Sequence, residues 1–206
     1  GVISLTDINA HIVLVSRGIL SFSLEDIRGT VRAYGANPIK LEKVNGDVIL
    51  HNPFCKFGVK IEDKLILRVS VPSQTQICHI VGSLQVFCKD LNLDVSEVRG
   101  NIHIENLFGG TKTYISADNR DNAKFNFLSV SGSISVTLSR EADEKLNVGM
   151  WTECGTINYK KWREEGILQT SDPSIIYAGS LPLNRSKDAD IQIRTQCGAI
   201  TIEKEP

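Results

Sequence analysis

A short phrase recurs along the chain: two residues, a glycine, one residue, then an alternating apolar pair. It reads Val44-Asn45-Gly46-Asp47-Val48-Ile49-Leu50, then Ile80-Val81-Gly82-Ser83-Leu84-Gln85-Val86, then Val98-Arg99-Gly100-Asn101-Ile102-His103-Ile104. It returns as Val130-Ser131-Gly132-Ser133-Ile134-Ser135-Val136 and as Gln196-Cys197-Gly198-Ala199-Ile200-Thr201-Ile202, with weaker copies around Gly29 and Gly155. Regular return of one supersecondary unit restricts the chain to a stack of similar coils. Several glycine gaps are near 17 or 18 residues and others are about twice that. One coil of short strands and tight bends takes about this length.

Each phrase implies local structure. Glycine allows a bend that other residues resist. The pair that follows, such as Ile102 and Ile104, sits at strand period and points to one side. Val48, Leu84, Val86, Ile102, Ile104, Ile134, Val136, Ile157, Ile200 and Ile202 are therefore the expected core, stacked in columns. Alternations without glycine, such as Leu65–Val71, Leu91–Val95 and Phe125–Val130, supply further strands. Asn45-Gly46-Asp47 would suit a hairpin elsewhere, but its sister phrases make it a coil bend. Ser139–Lys145 reads as a loop or single helical turn with Ser139 as N-cap. Lys160–Gly166 reads as a bulge, and Thr170–Asp188 as an irregular surface loop with strand-like Ile175–Tyr177 and Ser180-Leu181.

Composition agrees with this architecture. Of the 206 residues 41% are apolar but only 6% aromatic, so Ile, Val and Leu must build the interior. The balance of 23 basic and 24 acidic side chains gives no electrostatic footprint for nucleic acid. No apolar run approaches the roughly 20 residues of a transmembrane helix. No linker divides the chain, so one domain over 1–206 is expected.

The run Leu67-Arg68-Val69-Ser70-Val71-Pro72, then Ile77, then Ile80–Val86 resembles the opening of a bacterial adhesin-like domain family of unknown function, in which V-x-V-P precedes repeated V-S-G-D-I-x-V phrases. Val130–Val136 is nearly that phrase verbatim, and Ile191–Ile202 is similar to the family's closing segment, with Cys197 where Ser is usual. The resemblance is strongest over residues 60–204. It implies an all-β fold, a single-stranded parallel β-helix (β-solenoid) of right-handed sense. By resemblance it also implies a non-catalytic binding or structural module of the bacterial cell envelope or surface, the cytoplasm being the alternative. The implied partner is an extended envelope polymer or a surface protein.

Two other function classes compete. Some parallel β-helices are polysaccharide lyases or hydrolases, and Asp118-Asn119-Arg120-Asp121-Asn122 is dense in the hard oxygens that calcium prefers. Asp and Asn also favour turns for local reasons, which is the simpler account of Asp118 and Asp121. The third class is a self-assembling scaffold, because open solenoid ends can pair end to end. Trp151, Tyr159 and Trp162 could stack against sugar rings or could shield the end of the core. His11, His51, His79 and His103 are dispersed and form no metal-binding motif, so no metal or other cofactor is expected.

Five cysteines (Cys55, Cys78, Cys88, Cys154 and Cys197) show no C-x-x-C spacing. Cys154 and Cys197 share the register T-x-C-G-x-I and so belong to one column. In adjacent coils their Cα atoms would lie about 4.8 Å apart, close enough for a disulfide; with one coil between them they could not bond. Their separation of 43 positions amounts to about two coils, so two free thiols are expected.

Overall fold

The computed structural model describes residues 2–16, 21–35, 37–52, 60–61, 64–65, 75–116, 123–159, 167–169, 175–178 and 189–206. The chain opens with β1 (Val2–Ile8), β2 (Ile12–Val15), β3 (Ser21–Arg28), β4 (Val31–Tyr34), β5 (Asn37–Asn45) and β6 (Val48–Asn52). After a short antiparallel pair, β7 (Lys60–Ile61) and β8 (Lys64–Leu65), come β9 (Thr75–Ile80), β10 (Leu84–Cys88), β11 (Leu93–Val98) and β12 (Ile102–Asn106). Then follow β13 (Thr111–Ile115), β14 (Phe125–Ser129), β15 (Ile134–Leu138), the helix α1 (Arg140–Lys145), β16 (Val148–Thr152) and β17 (Thr156–Asn158). The last strands are β18 (Ile167–Gln169), β19 (Ile175–Ala178), β20 (Ile191–Thr195) and β21 (Ala199–Lys204).

Successive strands alternate between two sheets. The first has the order β1-β3-β5-β9-β11-β13-β15-β21-β17, the second β18-β19-β16-β20-β14-β12-β10-β6-β4-β2. Pairing is parallel throughout except at β7–β8, β16–β19 and β18–β19, among the described residues. The result is nearly all β and consistent with a parallel β-helix. Alternate residues point into the space between the sheets. Val31, Val48, Leu84, Ile102, Phe125, Ile191 and Val148 form one column in the second sheet. Leu93, Thr111, Ile134, Ile200 and Ile157 form another in the first. The expected core residues are buried, apart from Ile157, which is only partly covered in the terminal rung. Ser139 caps α1 as expected, its Oγ accepting from the Ala142 amide at 3.2 Å.

The glycine phrases form two sets. Gly29, Gly46, Gly82 and Gly100 stack where the chain passes from the first sheet to the second; Gly109, Gly132, Gly198 and Gly155 stack at the opposite bend. Stacking explains the glycine. A Cβ on Gly82 would run into the carbonyl of Gly46, and one on Gly198 into that of Gly132. At the second bend, Ser129, Thr195 and Thr152 each stand three residues before the glycine. Their hydroxyl oxygens accept from the amides of Gly132 (2.8 Å), Gly198 (2.9 Å) and Gly155 (2.9 Å).

The C-terminal strands return into the stack. After β15 the chain does not enter the place beside β14; α1 carries it one strand further, to β16 and then β17. β20 then fills the gap between β14 and β16, and β21 the gap between β15 and β17. Asp190 holds the start of this insertion, accepting from Lys124 Nζ (2.8 Å), the Asn147 amide (3.0 Å) and Asn147 Nδ2 (3.2 Å). Burial acts to raise the Asp190 pKa, but these donors together hold it below the usual carboxylate value.

This insertion corrects the expectation for the cysteines. Cys154, at the β16–β17 bend, and Cys197, at the β20–β21 bend, lie on adjacent rungs with Cα atoms 4.7 Å apart, and they form a disulfide. A sequence separation of 43 does not place them two coils apart: within it β18 and β19 pair antiparallel with each other and β19 with β16, and β20 lies directly beside β16. Titration of the denatured protein without reductant should therefore find no more than three of the five thiols. On the chain-entropy account, closing a loop of this length contributes on the order of 4 kcal/mol. Five reactive thiols would show that the bridge is absent.

Candidate functional site

Each five-residue strand of the second sheet turns three side chains inward and two outward, which gives the outer face two columns. One runs Val15, Tyr34, His51, Phe87, Glu105, Leu128, Arg194, Trp151. The other runs Val13, Arg32, Ile49, Gln85, His103, Asn126, Gln192, Gly149. The first sheet presents a different surface. Its outward columns hold Ser23, Lys40, Gln76, Asp94, Lys112, Ser135 and Thr201, and Glu25, Glu42, Cys78 and Ser96. Its outward rings among the described residues are His79, which lies against Glu97, and Tyr114, which donates to Glu205 Oε2 at 2.9 Å.

Rings and aliphatic side chains are thus concentrated on one face, and neighbouring rungs bring them together. The centroids of Tyr34 and His51 are 6.3 Å apart, those of His51 and Phe87 6.1 Å, and those of Phe87 and His103 5.4 Å. The first two pairs meet edge to face, a favoured aromatic geometry. His103 is oriented by Glu105 at 3.0 Å. Tyr34 is 38% exposed, and with Val13 at 61% and Val15 at 71% it leaves an apolar strip open to solvent. The rings of Tyr34, His51 and Phe87 stand on successive rungs beside the column that holds Arg32, Gln85 and His103, so they form a strip running along the stack.

The first sheet carries charge instead. At one corner Lys40 lies against Glu42 and is 3.9 Å from Glu25; Lys43 is 3.4 Å from Glu25 and 4.0 Å from Asp26. A hydrogen bond from Lys40 is the main cause holding the Glu42 carboxyl below its usual range, against a smaller desolvation effect. A cleft of about 330 Å³ runs beside this corner, lined by Asp26, Arg28, Lys43, Asn45, His79 and Val81 among others. Two cysteines are free among the described residues, Cys78 and Cys88, and burial pushes the Cys88 thiol up to about 12.

Of the residues singled out from sequence, Trp151 stands in the outward aromatic column of the second sheet, while Tyr159 is half-buried and packs against the core. Trp162, Asp118 and Asp121 lie outside the described residues. Sequence reasoning missed Tyr34, His51 and Phe87. They come from separate rungs at unequal sequence separations, and only the strand register makes them neighbours. No family model, no curated protein and no solved structure matches the chain.

Proposed function

We propose that the chain is a right-handed β-solenoid acting as a non-catalytic, adhesin-like binding module of the bacterial cell envelope. Its binding surface is the aromatic face of the second sheet, and its partner is an extended envelope polysaccharide lying along the stack. The observation that carries this reading is the contrast between the faces, one polar and one lined with rings in contact at 5.4–6.3 Å. A sugar offers an apolar C–H face to a ring and hydroxyls to side chains such as Arg32, Gln85 and Gln192 at the margin. Because neighbouring rings turn edge to face, the polymer meets a ring face at one rung and a ring edge at the next.

The compartment is supported separately. Both members of the Cys154–Cys197 disulfide are solvent-exposed, and an exposed disulfide persists in the periplasm or at the cell surface rather than in the reducing cytosol.

Affinity electrophoresis through gels cast with soluble envelope polysaccharides tests the binding surface. Phe87→Ala and Trp151→Ala should each weaken retardation by roughly 0.5–1.5 kcal/mol, from about twofold to about tenfold, with Tyr114→Ala unchanged. Binding that survives the loss of both Phe87 and Trp151, or that depends on Tyr114, would place the site elsewhere.

A further inference from the structure

We propose that Glu42, Cys78 and His79 together bind one zinc-class divalent ion, stapling β5 to β9 across the segment that separates β6 from β9. A carboxylate oxygen, the thiol sulfur and a ring nitrogen of these residues lie within 4.8 Å of one another. Their proximity is fixed by the backbone. Glu42 and Cys78 are direct partners in the parallel β5–β9 ladder.

His79 is the less expected ligand, because consecutive residues of a strand point to opposite faces. His79 has φ 54°. This left-handed residue breaks the alternation, so that Cys78 and His79 both face outward and only Ile80 returns to the core. The same device recurs at Asp7, Asp26, Lys43 and Glu97, but a thiol precedes it at His79 alone.

The surroundings fit a cation. Glu97, from β11, contacts His79 at Nδ1, leaving Nε2 as the nitrogen free to ligate. A carboxylate behind a ligating histidine is the usual outer-shell arrangement, fixing both tautomer and ring orientation. Lys40, which now lies against Glu42, retains Glu25 at 3.9 Å as an alternative partner. Sulfur, imidazole and one carboxylate form a borderline-soft donor set, which suits zinc or cobalt and not calcium or magnesium. Three protein ligands leave the fourth tetrahedral position open, beside the cleft that His79 lines. On binding, the Cys78 thiol gives its proton to solvent as the sulfur–metal bond forms.

Cobalt(II) titration of the purified full chain, without reductant, provides the test. Thiolate ligation adds a sulfur-to-cobalt charge-transfer band in the near ultraviolet and tetrahedral d–d bands in the visible. Both should vanish on adding zinc. The bands should be absent from Cys78→Ser and unaffected in Cys55→Ser. His79→Asn, with a residue that tolerates left-handed backbone, should bind more weakly. Glu97→Gln should lower affinity on the order of 10–100-fold. In the parent, bound zinc should raise the melting temperature. Absence of a thiolate band in the parent, a band that persists in Cys78→Ser, or an affinity unchanged in His79→Asn overturns the proposal.

Discussion

A chain ending at residue 188 should fail to fold cooperatively, although it loses only the last two strands. In most repeat stacks a terminal rung can be removed and its neighbour becomes the new end. Here β20 and β21 lie inside the sheets, so their removal leaves β14 and β16, and likewise β15 and β17, with no partner between them. Ile191, Ile193, Ile200 and Ile202 are all at 0% exposure. At about 1.5–3 kcal/mol for each fully buried side chain, the four account for roughly 6–12 kcal/mol. That is comparable to the roughly 5–15 kcal/mol by which a whole domain is stable.

Circular dichroism melts of the two lengths make the comparison, and a truncated chain melting within a few degrees of the parent would mean that the gap closes by itself. Asp190 offers a gentler probe of the same insertion. Its carboxyl titrates below its ordinary value near 3.8 in the folded chain. Its contribution is therefore complete above that value and is lost as the pH falls through the lower folded value.

The glycine phrase reveals strand, bend and strand because the contact between neighbouring rungs demands the same residue at each copy of the bend. Rungs stacked one strand apart leave no room for a Cβ at the bend, so the glycine at positions such as 46 and 82 is required wherever they meet. What the phrase alone does not separate is the two bends. The distinguishing residues precede the glycine. Where the chain passes from the first sheet to the second, the residue two before the glycine, such as Ile80 or Val98, is buried, whereas Val130 before the return bend is not. A Ser or Thr three positions before it, as at Ser129, Thr152 or Thr195, marks the return, because that hydroxyl receives the glycine amide.

The insertion of β20 and β21 has no such local mark. Their sequence is one more copy of the phrase, and only tertiary pairing decides which gap it enters. The same holds for the two candidate surfaces. Tyr34, His51 and Phe87 become neighbours through register across rungs of unequal length, and so do Glu42 and Cys78.

Ile134→Asp should be the most damaging single replacement among those in the central rungs. Ile134 is 2% exposed and stacks between Thr111 and Ile200. The change removes a buried aliphatic side chain, about 1.5–3 kcal/mol, and asks a carboxylate to enter an apolar column with no cation to meet it. Together these exceed the roughly 4–5 kcal/mol that marks exceptional destabilisation. The acid would escape part of the cost by staying protonated, so its folded pKa lies above its unfolded value near 3.9. The penalty must then grow as pH rises from that value toward the folded one, by about 1.4 kcal/mol per pH unit, and the variant should be least impaired in acid. Ser135→Asp makes the matching comparison. One residue further on, the same carboxylate points outward beside Lys112 and Thr201, where a surface change is worth within about 0.5 kcal/mol. Urea unfolding of both variants at pH 4 and pH 7 reads the difference directly. If Ser135→Asp proved the more damaging of the two, every strand in the first sheet would have to be shifted by one residue, because with a period of two a single slip exchanges core and surface.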